Sequence, residues 1–319
     1  MVETLTPIWQ RVLQLSSVGV DDNFFDLGGD SAMALELFNE IAIACGRELP
    51  PVVIYQAPTI TAQAALLEQP SAFRLPPILR LREGLGEPPI FIAHGLGGSA
   101  LDFYQIVKHI DTPHPIYGLQ AKGIDGMEQP LDRIEDMARY SLDAVRQLQP
   151  HGPYLLVGFS LGGLVALEMA QQLIAGGETV GLLAMLDAYP HMRYLSLAQQ
   201  ARLATRSSWR WIRGRLKWLG VPAPVQTTVD VPLTPAMQRF RESDSLALKR
   251  YQPRYYPGKI NFVRAAIPTD FPADASAVWS RFAHELEIAT VTGDHLGLMT
   301  VHFEALAWAI TRCLGQASG

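Results

Sequence analysis

The sequence predicts two domains: a small all-α four-helix unit, then a larger α/β domain built on a mainly parallel sheet with helices on both faces. Three observations carry this expectation. Apolar residues recur at helical spacing up to about residue 70. Pro70, Pro76, Pro77, Pro88 and Pro89 then crowd one stretch, and beyond it compact apolar runs alternate with helical periodicity. With 48% apolar and 18% charged residues, the 319-residue chain has the composition of a globular protein rather than a disordered one.

In the first unit, expected over residues 1–70, Ile8, Val12 and Leu15 mark a helix over 6–15. A loop rich in Gly and Asp leads to a second helix over about 31–45. Its expected apolar face is Leu35, Phe38, Ile41 and Ala42, and Gly46 is its C-cap. A short turn near VVIY and a helix opened by Thr59 complete the unit, which at about 70 residues folds with little stability to spare. Residues 71–87 are the expected linker.

In the second domain, expected over 88–319, PIFIAH, PIYGLQ, YLLVGF, VGLLAMLD, KINFVRA and ELEIATVTG read as strands. Helical patterns fall at 100–109, 134–148 and 161–175, and a last helix runs to about Leu314. Between the fourth and fifth of these strands lies an amphipathic stretch with Arg206, Trp209, Arg210, Trp211, Arg213, Arg215, Lys217 and Trp218. Its position, inside a segment of about 190–250 that interrupts the alternation, predicts a helical lid, and its charge would suit an acidic partner.

Charge divides along the chain as structure does. Up to Pro70, Arg11 and Arg47 stand against nine acidic residues, a net −7 within a total of −5, so the remainder carries +2. An acidic first unit speaks against nucleic-acid binding and for docking by basic partners. The two cysteines, Cys45 and Cys313, lie far apart without CxxC spacing, which argues against a disulfide framework and suits a reducing compartment. The eight histidines form no HExxH or comparable pairing, so no metal site is expected. MVETLTPIWQ lacks the basic start and apolar run of a signal peptide, and no segment reaches the roughly 18 apolar residues of a membrane helix. The expected location is the cytoplasm.

GFSLGG, over 158–163, follows the strand YLLVGF and opens a helix. That placement makes Ser160 the nucleophile of a strained strand-to-helix elbow. A hydroxyl is a poor nucleophile near neutral pH and needs a base, itself oriented by a carboxylate. In this arrangement the chain order is Ser, acid, His. Asp187 ends the run LLAMLD and His295 follows the last strand, so these are the expected acid and base, with Asp294 a rival acid. The N–H of Leu161 at the helix start is one expected oxyanion donor. HGLGGSA, over 94–100, supplies the second, from Leu96. The same loop satisfies GxGxxG/A, but a dinucleotide site wants an acid at the end of the next strand, and GLQAKG has none.

DNFFDLGGDSAMALELF, over 22–38, resembles the phosphopantetheine-attachment motif of carrier domains from nonribosomal peptide and polyketide synthetases. The resemblance implies that Ser31 bears a covalent 4′-phosphopantetheine whose thiol holds an acyl or peptidyl thioester. A phosphodiester at a helix N-terminus is favoured by free N–H groups and the helix dipole. HGLGG, GFSLGG, MLDAYP, YQPRYYPGKINFVRA and GDH resemble the type I thioesterase domains that end such assembly lines, which belong to the α/β-hydrolase superfamily. Gly95 departs from the His-Pro of many relatives.

That resemblance implies that Ser160, Asp187 and His295 release the chain carried on Ser31 by hydrolysis, cyclisation or coupling, in secondary-metabolite biosynthesis. The implied partners are a phosphopantetheinyl transferase and upstream adenylation, condensation or ketosynthase domains, with no nucleic acid and no membrane. Two alternatives stay open: a stand-alone carboxylesterase with a helical appendage, and a carrier and docking module whose hydrolase domain is inactive.

Overall fold

The computed structural model of the chain describes residues 1–29, 31–47, 49, 53–54, 57–68, 75–125, 128–195, 199–200, 235–268, 272 and 274–317. The Arg- and Trp-containing stretch expected as a lid lies outside the described residues. By contacts the chain divides into two compact units, Met1–Pro76 with Lys122–Pro130, and Pro77–Ala121 with Leu131–Gly319.

The first unit has three α-helices among the described residues, α1 (Val2–Leu13), α2 (Ser31–Cys45) and α3 (Ile60–Glu68), with a short helical turn at 53–54. α1 buries Leu5, Ile8, Trp9, Val12 and Leu13, an i, i+3, i+4 stripe. α2 buries Ala34, Leu37, Phe38 and Ile41; of the face read from the sequence, Phe38 and Ile41 are buried while Leu35 and Ala42 are half-buried. The true stripe steps 3, 1 and 3 residues along one side, and Leu35 stands about 100° round from Ala34. Gly46 ends α2 with φ 65° and donates its N–H to Ala42 O at 2.9 Å. Trp9, fully buried, meets the Phe24 ring edge-on at 5.3 Å and donates its indole N–H to Gln63 Oε1 at 3.0 Å. The one polar atom of the largest side chain in this core is thereby satisfied.

The second unit is a seven-stranded sheet in the order β1-β3-β2-β4-β5-β6-β7. The strands are β1 (Ile78–Arg82), β2 (Ile90–Ala93), β3 (Ile116–Leu119), β4 (Tyr154–Phe159), β5 (Val180–Leu186), β6 (Tyr256–Ala265) and β7 (Ala283–Val291). β1 runs antiparallel to β3, and every other neighbouring pair is parallel. Crossover helices cover such a sheet on both faces, which is why β2 and β4 are buried throughout.

β1 lies inside the stretch expected as linker. ILRLR alternates apolar and charged residues, the pattern of a half-covered edge strand, and flanking prolines and glycines masked it. The Arg82 guanidinium donates to the carbonyls of Val107 and Ile110, tying this edge to the last turn of α4 (Tyr104–Lys108) and the chain just beyond it.

α5 (Ile134–Leu148) and α6 (Leu161–Ala175) pack on each other, and α6 packs on β2, β4 and β5. Phe91, Leu156, Met185 and Phe262, one from each of four adjacent strands, meet Leu164, Leu167 and Met169 in the main core. Fully burying a large apolar side chain contributes about 1.5–3 kcal/mol. α7 (Pro235–Arg250) precedes β6, and the short α8 (Ser276–Trp279) precedes β7. α9 (Phe303–Ala317) packs on α4, β5 and β7.

Candidate active site

β4 ends at Phe159 and α6 begins at Leu161, so a single residue, Ser160, makes the turn. It does so at φ 54° and ψ −119°, a region costly for a residue with a Cβ. Three non-glycine residues among those described have positive φ: Gln14 at a helix end, Ser160, and Asp187 at φ 45°. The turn closes because Gly162 lacks a side chain; a Cβ there would overlap His94 O at the end of β2. Ser160 donates its N–H to Leu186 O at 2.9 Å, and Asp187 donates its own to Val263 O at 2.7 Å. Neighbouring strand ends thus hold both strained residues in place.

His295 follows β7. Its Nδ1 lies 2.8 Å from Asp187 Oδ2 and its Nε2 3.1 Å from Ser160 Oγ. A carboxylate only accepts, so Nδ1 carries the proton and Nε2 is left to receive the Ser160 O–H. The imidazole stacks on Phe159 with ring centres 4.6 Å apart and planes 19° apart. Asp187 is buried, and its other oxygen accepts the Ala265 N–H at 3.1 Å. Residues far apart in sequence thus meet at the carboxyl ends of β4, β5 and β7, where ligands gather in open α/β sheets. Asp294, the rival acid, instead accepts the Gly297 N–H at 2.8 Å and caps its own turn.

Leu161, as first residue of α6, has no acceptor for its N–H within the helix. In the 94–98 loop, Gly98 donates to Gly95 O at 3.2 Å and closes a turn around Leu96, whose side chain is exposed. Among the described residues no acceptor takes the Leu96 N–H. The contribution of Phe159 was readable in principle, because any ring before the elbow serine is near the base. The Ala265 N–H had no signal, since every residue but proline has one.

A strained serine between a central parallel strand and a helix, with an acid and a histidine at the ends of later strands, defines the α/β-hydrolase class of fold. The chain belongs to the thioesterase domain family, whose model matches residues 88–314. A phosphopantetheine attachment site family matches residues 3–67, so the first unit is a carrier domain with covalent 4′-phosphopantetheine.

The chain is 44% identical over 190 residues to a dimodular nonribosomal peptide synthase of Bacillus subtilis (strain 168), covering 59% of this chain and 8% of that one. It is 38% identical over 198 residues to an indigoidine synthase of Dickeya dadantii (strain 3937), covering 62% and 13%. It therefore spans a small part of the length of these curated relatives. Among solved structures, the NocB thioesterase domain in covalent complex with a fluorophosphonate nocardicin G analog is 27% identical, with TM-score 0.54 over 72% of this chain and 96% of that one.

The N-terminal unit fits the arm its family carries. Ser31 is the first residue of the 15-residue helix α2, and the N-terminus of a helix favours a phosphate through its dipole. The turn before it is built to end there. Asn23 Oδ1 accepts the Phe25 N–H at 2.9 Å and Gly29 donates to Phe24 O at 2.9 Å. The buried Phe24 ring fills the space a Gly29 side chain would need. Among the described residues, no helix is long and apolar enough to cross a membrane.

Proposed function

We propose that this chain releases an acyl or peptidyl group carried on Ser31 through an ester formed on Ser160, as a terminal step of secondary-metabolite assembly. The observation that carries the reading is the series Asp187–His295–Ser160, at 2.8 and 3.1 Å, in a chain that also holds a carrier domain. When bound, the phosphopantetheine arm supplies a thiol that presents the group as a thioester.

Ser160 Oγ attacks the acyl carbonyl carbon while His295 Nε2 takes its proton. Asp187 stays ionised, keeps Nδ1–H in place and stabilises the imidazolium. The N–H groups of Leu161 and Leu96 receive the developing oxyanion, and one such donor is worth about 3 kcal/mol in sites of this kind. The C–S bond breaks and His295 returns the proton to the departing sulfur. The Ser160 ester is then resolved by water or by a nucleophile of the acyl group itself, deprotonated by His295 in the same way. A phosphopantetheinyl transferase and upstream synthetase domains supply the loaded arm.

Intact-protein and peptide mass spectrometry tests this after incubation with a broad-specificity phosphopantetheinyl transferase and a panel of acyl-CoA thioesters. Wild type and Ser160→Ala are both expected to load at Ser31, with only wild type shedding its acyl group. Retention of every acyl group by wild type would overturn the release reading. A bare Ser31, under conditions that load a control carrier, would overturn the assignment of that serine.

A further inference from the structure

α7 carries the stripe Phe240, Asp244, Ala247 and Tyr251, spaced as one buried helix face continuing into the next residue. Three of these belong in a core and one does not. Asp244 is 0% exposed, and burial pushes its carboxyl up to about 7. A leucine would satisfy the packing without that desolvation cost. What the carboxylate does instead is accept the Gly97 N–H through Oδ2 at 3.3 Å, across 147 residues of sequence. Among the described residues its other oxygen has no hydrogen-bond partner.

One turn earlier on α7, Phe240 packs over Gly98. Gly98 has φ 80°, and a Cβ there would overlap the Phe240 ring. A ring and a carboxylate at i and i+4 therefore grip two consecutive glycines.

Peptide planarity turns this grip into a constraint on Leu96. Gly95 O and the Leu96 N–H belong to one rigid plane and point opposite ways. Gly95 O is fixed by two donors, His94 Nδ1–H at 2.9 Å and Gly98 N–H at 3.2 Å. The next plane, Leu96 C=O with Gly97 N–H, is fixed by Asp244. Gly98 O accepts the Ala121 N–H at 3.0 Å and anchors the loop beyond β3. Both planes flanking Leu96 are clamped, and the Leu96 N–H is what the clamp leaves for a ligand.

We infer that Asp244 is a positioning residue for the reaction, holding the Leu96–Gly97 peptide so that the Leu96 N–H is aimed at the oxyanion. This rests on the proposed role of Ser160 and its two oxyanion donors. Displacing such a donor by about 1 Å costs on the order of 100-fold in rate.

The test uses the full chain. Phosphonylation of Ser160 by a short-chain alkyl fluorophosphonate is followed by intact mass, and kcat and KM are measured with p-nitrophenyl butyrate. In labelling, the Ser160 Oγ–P bond forms, P–F breaks and fluoride leaves, with the serine proton passing to His295. Asp244→Leu fills the site without an acceptor, Asp244→Ala empties it, and Asp244→Asn keeps an acceptor oxygen for Gly97. We expect Leu and Ala variants to label and turn over about 100-fold more slowly, with KM within about twofold and a rate loss that does not track melting temperature; Asn is expected within about threefold of wild type.

Wild-type rates in Leu and Ala, an Asn variant as slow as Leu, or a loss that tracks melting temperature would each overturn the inference. If Asp244→Leu does not fold, the comparison of Ala with Asn decides. Ser160→Ala runs alongside: if it labels like wild type, the serine reading itself fails, independently of Asp244.

Discussion

The backbone N–H of Ala265 holds Oδ1 of Asp187 at 3.1 Å, leaving Oδ2 as the oxygen that receives His295. The carboxylate is thus oriented by a group that can only donate. This makes the outcome of removing one oxygen calculable. In Asp187→Asn the amide oxygen must face Ala265, so the NH2 faces His295 and forces Nδ1 to accept. Nε2 then carries the proton and cannot take one from Ser160. Single-turnover acylation is expected to fall about 10⁴-fold with folding intact. A fall below tenfold would mean that the imidazole finds its working tautomer without Asp187.

Asp244 also predicts a pH dependence of stability. Its carboxyl is pushed up to about 7 in the folded chain by burial, against an ordinary 3.8. The folded state therefore holds a proton that the unfolded state gives up, and stability falls as pH rises from about 4 to about 7. Asp244→Asn removes this loss. Its stability relative to wild type is expected to be near zero change at pH 4 and about 2–4 kcal/mol higher at pH 8. Urea midpoints at the two pH values measure it, and a constant difference would show that the buried carboxyl titrates near its ordinary value.

The close approach at the elbow yields a packing prediction. In Gly162→Ala the new methyl meets His94 O, which is backbone and cannot swing away. The strand and helix must separate, at about 1–3 kcal/mol, and Ser160 moves with them. Lower stability together with slower fluorophosphonate labelling is expected. Unchanged labelling would mean that the serine is held independently of this contact.

In the carrier domain, Phe24 underlies the turn before Ser31 and is fully buried against Trp9. Phe24→Ala is expected to cost about 3–5 kcal/mol, enough to unfold a unit of this size. Loss of transferase-dependent loading at Ser31, with Ser160 labelling retained, is the measurable result. Loading at the wild-type rate would mean that α2 starts correctly without that ring.

What could be read from residue order was whatever depends on near neighbours. The strand run YLLVGF, the glycines of GFSLGG and the helix after them mark an elbow at Ser160, because strain and turn chemistry act over a few residues. Asp187 and His295 were legible for a related reason, since a strand end is a local event and chain order limits the choice. β1 was missed because an edge strand needs only a half-covered pattern, and ILRLR amid prolines and glycines resembles a linker. The buried side of α2 was read in part, with Phe38 and Ile41 but without Ala34 and Leu37, because two rotations of a weakly patterned helix differ only in what packs against it.

The links that aim the site were decided by folding alone. Ala265 acts through a backbone N–H that no side chain advertises, and Asp244 reaches Gly97 from 147 residues away. Such pairs exist only once the sheet has brought strand ends and α7 together, because hydrogen bonding is short-ranged in space and indifferent to separation along the chain.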